Sequence, residues 1–111
     1  MSAITTHVLD TAAGGPAKGV HILLEKKEGE IYKEMNSVVT NSDGRVEKLM
    51  PIPLEAGVFR LTFDTADYFK NKGTKSFYPE TAIVFEIDDP TQHYHVPLLI
   101  SGFGYSTYRG S

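Results

Sequence analysis

A chain of 111 residues, 41% apolar and 23% charged, has the size and balance of one ordinary globular domain, so residues 1–111 are expected to form a single domain. A net charge of −3 with no run of Lys or Arg argues against nucleic acid and against an anionic membrane surface as partners. The complete lack of cysteine excludes disulfides, thiolate metal sites and cysteine nucleophiles.

Apolar residues recur with period two or in short runs, the signature of strands. Residues 4–9 predict a first strand, closed by the turn cluster Gly14-Gly15-Pro16. Residues 20–24 begin a second strand that runs into charges and turns around Glu28-Gly29-Glu30; residues 31–40 are its hairpin partner. After the turn Asn41-Ser42-Asp43-Gly44, residues 45–49 read as a short strand that Pro51 and Pro53 end. Residues 58–63 alternate cleanly, with Phe59, Leu61 and Phe63 on one face. A helix of about two turns follows, with Asp64 or Thr65 as N-cap, residues 66–72 as its body and Gly73 as its stop. Residues 81–87, 94–100 and 104–108 complete the set, with Ile83, Phe85 and Ile87 inward. About eight short strands and one short helix predict an all-β, antiparallel β-sandwich.

Histidine is the side chain whose charge changes near neutral pH. His7 shares a strand face with Thr5 and Leu9; His95 shares one with His93, Pro97 and Leu99. Read alone, each is more often structural than catalytic. His93 and His95 form a His-x-His pattern that offers two imidazoles to zinc only if the fold supplies a third ligand, a weakly specific signal, and no metal is expected. His21 reads as a surface residue. Arg45 follows an Asp-Gly turn, and its guanidinium fork suits a planar ligand with adjacent oxygens. Tyr105 and Tyr108 read as strand aromatics at an interface, and Pro97 as a mark of an edge or bulged strand. A serine nucleophile at Ser101, Ser106 or Ser111 lacks a Gly-x-Ser-x-Gly elbow.

Three stretches carry a family resemblance: the terminal Tyr108-Arg109-Gly110-Ser111, the segment His7-Val8-Leu9-Asp10 with Gly14-Gly15-Pro16-Ala17-Lys18-Gly19-Val20, and Asp43-Gly44-Arg45. Together they closely resemble the 5-hydroxyisourate hydrolases, purine-catabolic enzymes of the transthyretin-like family. One departure is Ser101-Gly102, where the family usually has Ser-Pro. The resemblance implies a transthyretin-like sandwich and hydrolysis of 5-hydroxyisourate without a cofactor. It implies catalytic roles for His7, Arg45 and His95, and substrate-binding roles for Tyr108, Arg109, Gly110 and Ser111. It further implies a homotetramer, a dimer of dimers with sites where the dimers meet. The rival reading keeps the fold and replaces the chemistry with hormone-type binding of a small aromatic ligand, as in transthyretin itself. Residues 1–7 have neither a basic start nor a long apolar stretch, and no segment approaches a membrane span, so the cytoplasm is the expected setting.

Overall fold

The computed structural model describes residues 4–46, 48–50 and 53–110. Strands β1 (Ile4–Asp10), β2 (Gly15–Pro16), β3 (His21–Glu28), β4 (Ile31–Val39) and β5 (Gly57–Phe63) precede helix α1 (Thr65–Asn71). Strands β6 (Thr81–Ile87), β7 (Tyr94–Ser101) and β8 (Gly104–Thr107) follow it. They form two four-stranded sheets, ordered β2-β1-β7-β8 and β4-β3-β5-β6. Inward residues of both sheets alternate with outward ones and meet as one core. Ile4, Val8, Leu24, Phe59, Leu61, Phe63 and Leu98 within it are fully buried. The predicted β-sandwich is therefore present, with one parallel pair: β1 and β7 run side by side from Ile4↔Tyr94 to Asp10↔Ile100.

Two local expectations need correction. Residues 45–49 do not form a strand among the described residues; Arg45 makes one isolated bridge to His7. The Asn36 side chain donates to the carbonyls of both Lys48 and Leu49 at 2.9 Å, so these groups are satisfied without a ladder while Leu49 plugs the core. Pro51, expected to end that strand, lies outside the described residues. The eighth strand is instead β2, within the expected turn cluster. Pro97 is the second correction, because it sits in β7, an interior strand. The ladder to β8 spans only Leu98 to Ser101, so the missing proline N–H leaves no unmet partner, and the Thr107 hydroxyl donates to the Pro97 carbonyl at 2.7 Å.

A register shift between Leu24 and Glu25 buries both neighbours. Glu25 is held there by Arg60, whose Nε and Nη2 lie 2.9 and 2.8 Å from Oε1 and whose guanidinium stacks 3.9 Å over Tyr32. Gly102 also has a packing reason. A Cβ there would lie 2.6 Å from the Lys75 carbonyl oxygen, and Phe77 N donates to Gly102 O at 2.7 Å. The segment after α1 thus lies against the turn in space that a proline ring would take.

Helix α1 begins at the Asp64 cap, whose Oδ1 accepts from Asp67 N at 3.1 Å, and it buries Tyr68 and Phe69. Tyr68 Oη donates to buried Asp10 at 2.7 Å, Lys72 Nζ lies 3.4 Å away, and Ala12 N and Ala13 N each donate at 3.0 Å. Burial alone would raise the Asp10 pKa, but the hydrogen bonds from Ala13, Tyr68 and Lys72 outweigh it and hold the carboxyl below its usual range. Its contribution is present above about pH 4 and is lost as pH falls through the lowered folded-state value. Asp10→Ala is expected to cost about 2–3 kcal/mol by stranding these donors. That loss corresponds to a fall of roughly 10 °C or more in melting temperature, read by calorimetry at pH 7.

Candidate active site

The face of β1 and β7 turned away from the core carries Thr5, His7 and His95. Parallel pairing sets Thr5 opposite His95 and His7 opposite Pro97, so the two imidazoles stand on adjacent strands, displaced by one step of the pleat. On the far side of β1, Arg45 bridges His7 in antiparallel fashion, and directly paired residues share a face. The turn before it is anchored by Val8 N donating to Gly44 O at 2.8 Å and by Asn41 Oδ1 accepting from Arg45 N at 3.1 Å. Sequence-distant His7, Arg45 and His95 are thereby brought to one surface.

His95 is half-buried and its pKa is pushed below the ordinary imidazole value. Burial is the main cause, followed by the Arg45 guanidinium, His93 and His7; a hydrogen bond with the Thr5 backbone works the other way. A neutral imidazole near pH 7 carries one lone pair, so it can accept a proton. Thr5 Oγ1 lies 2.8 Å from His95 Nδ1. The same hydroxyl lies 2.9 Å from His93 Nε2, and the two histidine rings stack at 6.5 Å between centroids.

The tail splits into two parts. Beyond the β8 ladder it lifts away alongside Pro97, then returns where Gly110 N donates to His95 O at 2.8 Å. A Cβ at Gly110 would stand 2.5 Å from His95 Cδ2, so only glycine lets the ring lie across the tail. Arg109 is engaged away from the His95 ring. Arg109 donates to Gln92 Oε1 at 2.9 Å and stacks 4.4 Å over Tyr94, a residue of the opposite β7 face. With Tyr108, it borders a cavity of about 430 Å³ between the β6 and β8 edges, walled by Ile83, Phe85, Tyr94 and Val96. Ser111 lies outside the described residues.

Sequence reasoning did not single out Thr5 as a partner of His95, and it paired His93 with His95 only on a shared strand face and as a weak zinc pattern. Thr5 could have been found only by knowing the parallel register, because nothing local pairs residue 5 with residue 95. Among the described residues no three His, Cys, Asp or Glu side chains gather as a metal-ligand group. His21 is exposed on β3 in the other sheet. Ser106 pairs with Leu99 along β7, away from His95, and Ser101 Oγ donates to Gly104 O at 3.2 Å.

A family model described as the HIUase/Transthyretin family matches residues 4–110. The 5-hydroxyisourate hydrolase of Mus musculus is 46% identical over 113 residues, which cover 99% of this chain and 96% of that protein. The solved 5-hydroxyisourate hydrolase of Klebsiella pneumoniae is 39% identical with a TM-score of 0.85, over 97% of this chain and 92% of that one. Sea bream transthyretin in complex with thyroxine superposes with a TM-score of 0.92 at 28% identity, over 97% and 94% of the two chains. A match over nearly every described residue, by sequence and by shape alike, means that this chain belongs to the HIUase/transthyretin family.

Proposed function

We propose that this protein is a 5-hydroxyisourate hydrolase. It opens the N1–C6 cyclic amide of 5-hydroxyisourate by attack of water, yielding 2-oxo-4-hydroxy-4-carboxy-5-ureidoimidazoline. The observation that carries this reading is the single surface holding Arg45, His7 and a His95 kept neutral by burial and by Arg45. The relatives named for this activity support it.

Water is a poor nucleophile at pH 7, and a positioned base contributes typically about 10²–10⁴-fold. His95 Nε2 takes the proton as water attacks C6, while its Nδ1 is held by Thr5. Arg45 anchors the heterocycle and stabilises the negative charge that develops on the C6 oxygen, a task for a fixed, always charged donor fork. His7 orients the ring and supports proton delivery to the leaving nitrogen. Gly110 admits the His95 ring, and Arg109 secures the tail through Gln92 and Tyr94.

The working unit is a homotetramer, a dimer of dimers whose sites lie where the dimers meet, in the cytoplasm. Support for assembly comes from β6 and β8, which end their sheets with open edges and expose Val84 and Tyr105. Light scattering is expected to give a mass near four times 12.3 kDa. A hormone-type binding role is favoured by one observation, the TM-score to thyroxine-bound transthyretin, yet shape alone does not assign chemistry.

The deciding assay generates 5-hydroxyisourate in place from urate and urate oxidase and follows its ultraviolet decay. Wild type is expected to outrun the spontaneous reaction, and His95→Asn to lose about 10²–10⁴-fold in kcat/KM with an unchanged melting temperature. Thyroxine binding with no acceleration of decay would replace the hydrolase with the carrier. Gly110→Ala, which crowds the His95 ring, is expected to lower kcat/KM by at least about tenfold, a cost of about 1.4 kcal/mol in the barrier.

The lowered pKa sets a pH signature. His95 stays neutral below the ordinary midpoint of about 6.5, so the acid limb of kcat/KM lies under that value. Arg45→Met removes the cation that disfavours the charged His95 ring and is expected to move the His95 midpoint upward in an NMR titration. Because the folded value is the lower one, the folded state binds fewer protons than the unfolded chain there, and stability falls as pH drops below about 6.5.

A further inference from the structure

His95 faces a conflict that its own geometry creates. Burial and the nearby Arg45 cation favour the neutral ring, so the imidazolium that forms after proton capture is poorly placed. Arg45, His7 and His93 are the ionisable groups acting on it, and the Thr5 hydroxyl touches it directly. On the Nδ1 side the structure offers an exit. Thr5 Oγ1 stands 2.8 Å from His95 Nδ1 and 2.9 Å from Nε2 of exposed His93. A hydroxyl has one proton, so it accepts from one nitrogen while donating to the other.

We infer that Thr5 and His93 form a proton relay that moves the catalytic positive charge from His95 to the exposed His93. This rests on His95 acting as the base of the hydrolysis proposed above. In the resting state His95 Nδ1–H donates to Thr5 Oγ1, and the Thr5 hydroxyl donates to His93 Nε2. When Nε2 of His95 takes a proton from water, its Nδ1–H bond breaks and a new O–H bond forms at Thr5. The original Thr5 O–H bond breaks in the same motion and an N–H bond forms at His93 Nε2. His95 is then neutral with its proton on Nε2, and His93 carries the charge. When Nε2–H is delivered to the leaving nitrogen, the two transfers reverse and the resting tautomers return. No proton is gained or lost in the cycle beyond those of water and product. Thr5 and His93 are positioning residues here, since neither touches the reacting carbon.

The test compares wild type, His95→Asn, Thr5→Val, Thr5→Ser and His93→Ala in the decay assay, with kcat, KM and melting temperature for each. Thr5→Val keeps the shape and removes the hydroxyl, and Thr5→Ser restores it. Thr5→Val and His93→Ala are expected to lower kcat about tenfold with KM and melting temperature little changed, a barrier rise of about 1.4 kcal/mol. Thr5→Ser recovers most of kcat, and added imidazole restores His93→Ala but not Thr5→Val. In mixed H₂O and D₂O, wild-type kcat depends on the isotope fraction with the curvature of several moving protons, and Thr5→Val gives a straight line. Wild-type kcat in Thr5→Val, no imidazole rescue of His93→Ala, or unchanged curvature in Thr5→Val overturns the relay. If these occur while His95→Asn is still inactive, the hydrolase reading stands and only the relay falls. A wild type no faster than spontaneous decay overturns both.

Discussion

The parallel pairing of β1 with β7 is the constraint on which the rest depends, because it joins the two ends of the chain at a fixed register. Parallel strands cannot be joined by a tight hairpin, so residues 4–10 and 94–100 are linked only through the whole of the intervening chain. A slip of one residue would turn Ile4, Val8 and Leu98 out of the core and drive His7 and His95 into it. Burial of those apolar side chains, at about 25 cal/mol per Å², therefore holds the register and with it the spacing of the imidazoles. The site is precise because the core is.

On that frame the proposed chemistry rests on a few charges and one hydroxyl. The solved hydrolase and thyroxine-bound transthyretin both superpose well on this chain, so shape does not separate the two activities. The proposed hydrolysis rests instead on the face where β1 and β7 bring Thr5, His7, His93 and His95 together and Arg45 bridges His7. Arg45 acts on both sides of the problem. It suits an oxygen-rich heterocycle, and it presses His95 towards the neutral state that a base requires.

Proline and glycine shape the tail by what they lack. Pro97 has no donor to offer, the β8 ladder stops short of it, and the tail leaves the sheet there before Gly110 rejoins it at the His95 carbonyl. The absence of a Cβ at Gly110 lets the imidazole lie over the backbone, and its absence at Gly102 lets Lys75 close on the neighbouring turn. In the first case the small residue serves the site, in the second the packing of the segment after α1.

Much was legible in the sequence because it rests on local chemistry. The alternation through Phe59, Leu61 and Phe63, the Asp64 cap, the turn glycines and the β3–β4 hairpin all follow from neighbours a few residues apart. The stretch 45–49 misled because its apolar content resembles a strand, while an Asn36 side chain satisfies Lys48 and Leu49 from another strand. His7, Arg45 and His95 could be picked out by residue type and by family likeness. Their convergence, the Thr5–His93 contacts and the turning of Arg109 towards Tyr94 could not, since each depends on registers between segments some 90 residues apart or on the path of the tail. By itself the sequence determined the strands, their buried faces and the kinds of side chain available. Only the tertiary structure decided which of them meet, because strand register is set by packing across the whole core rather than by any local stretch of chain.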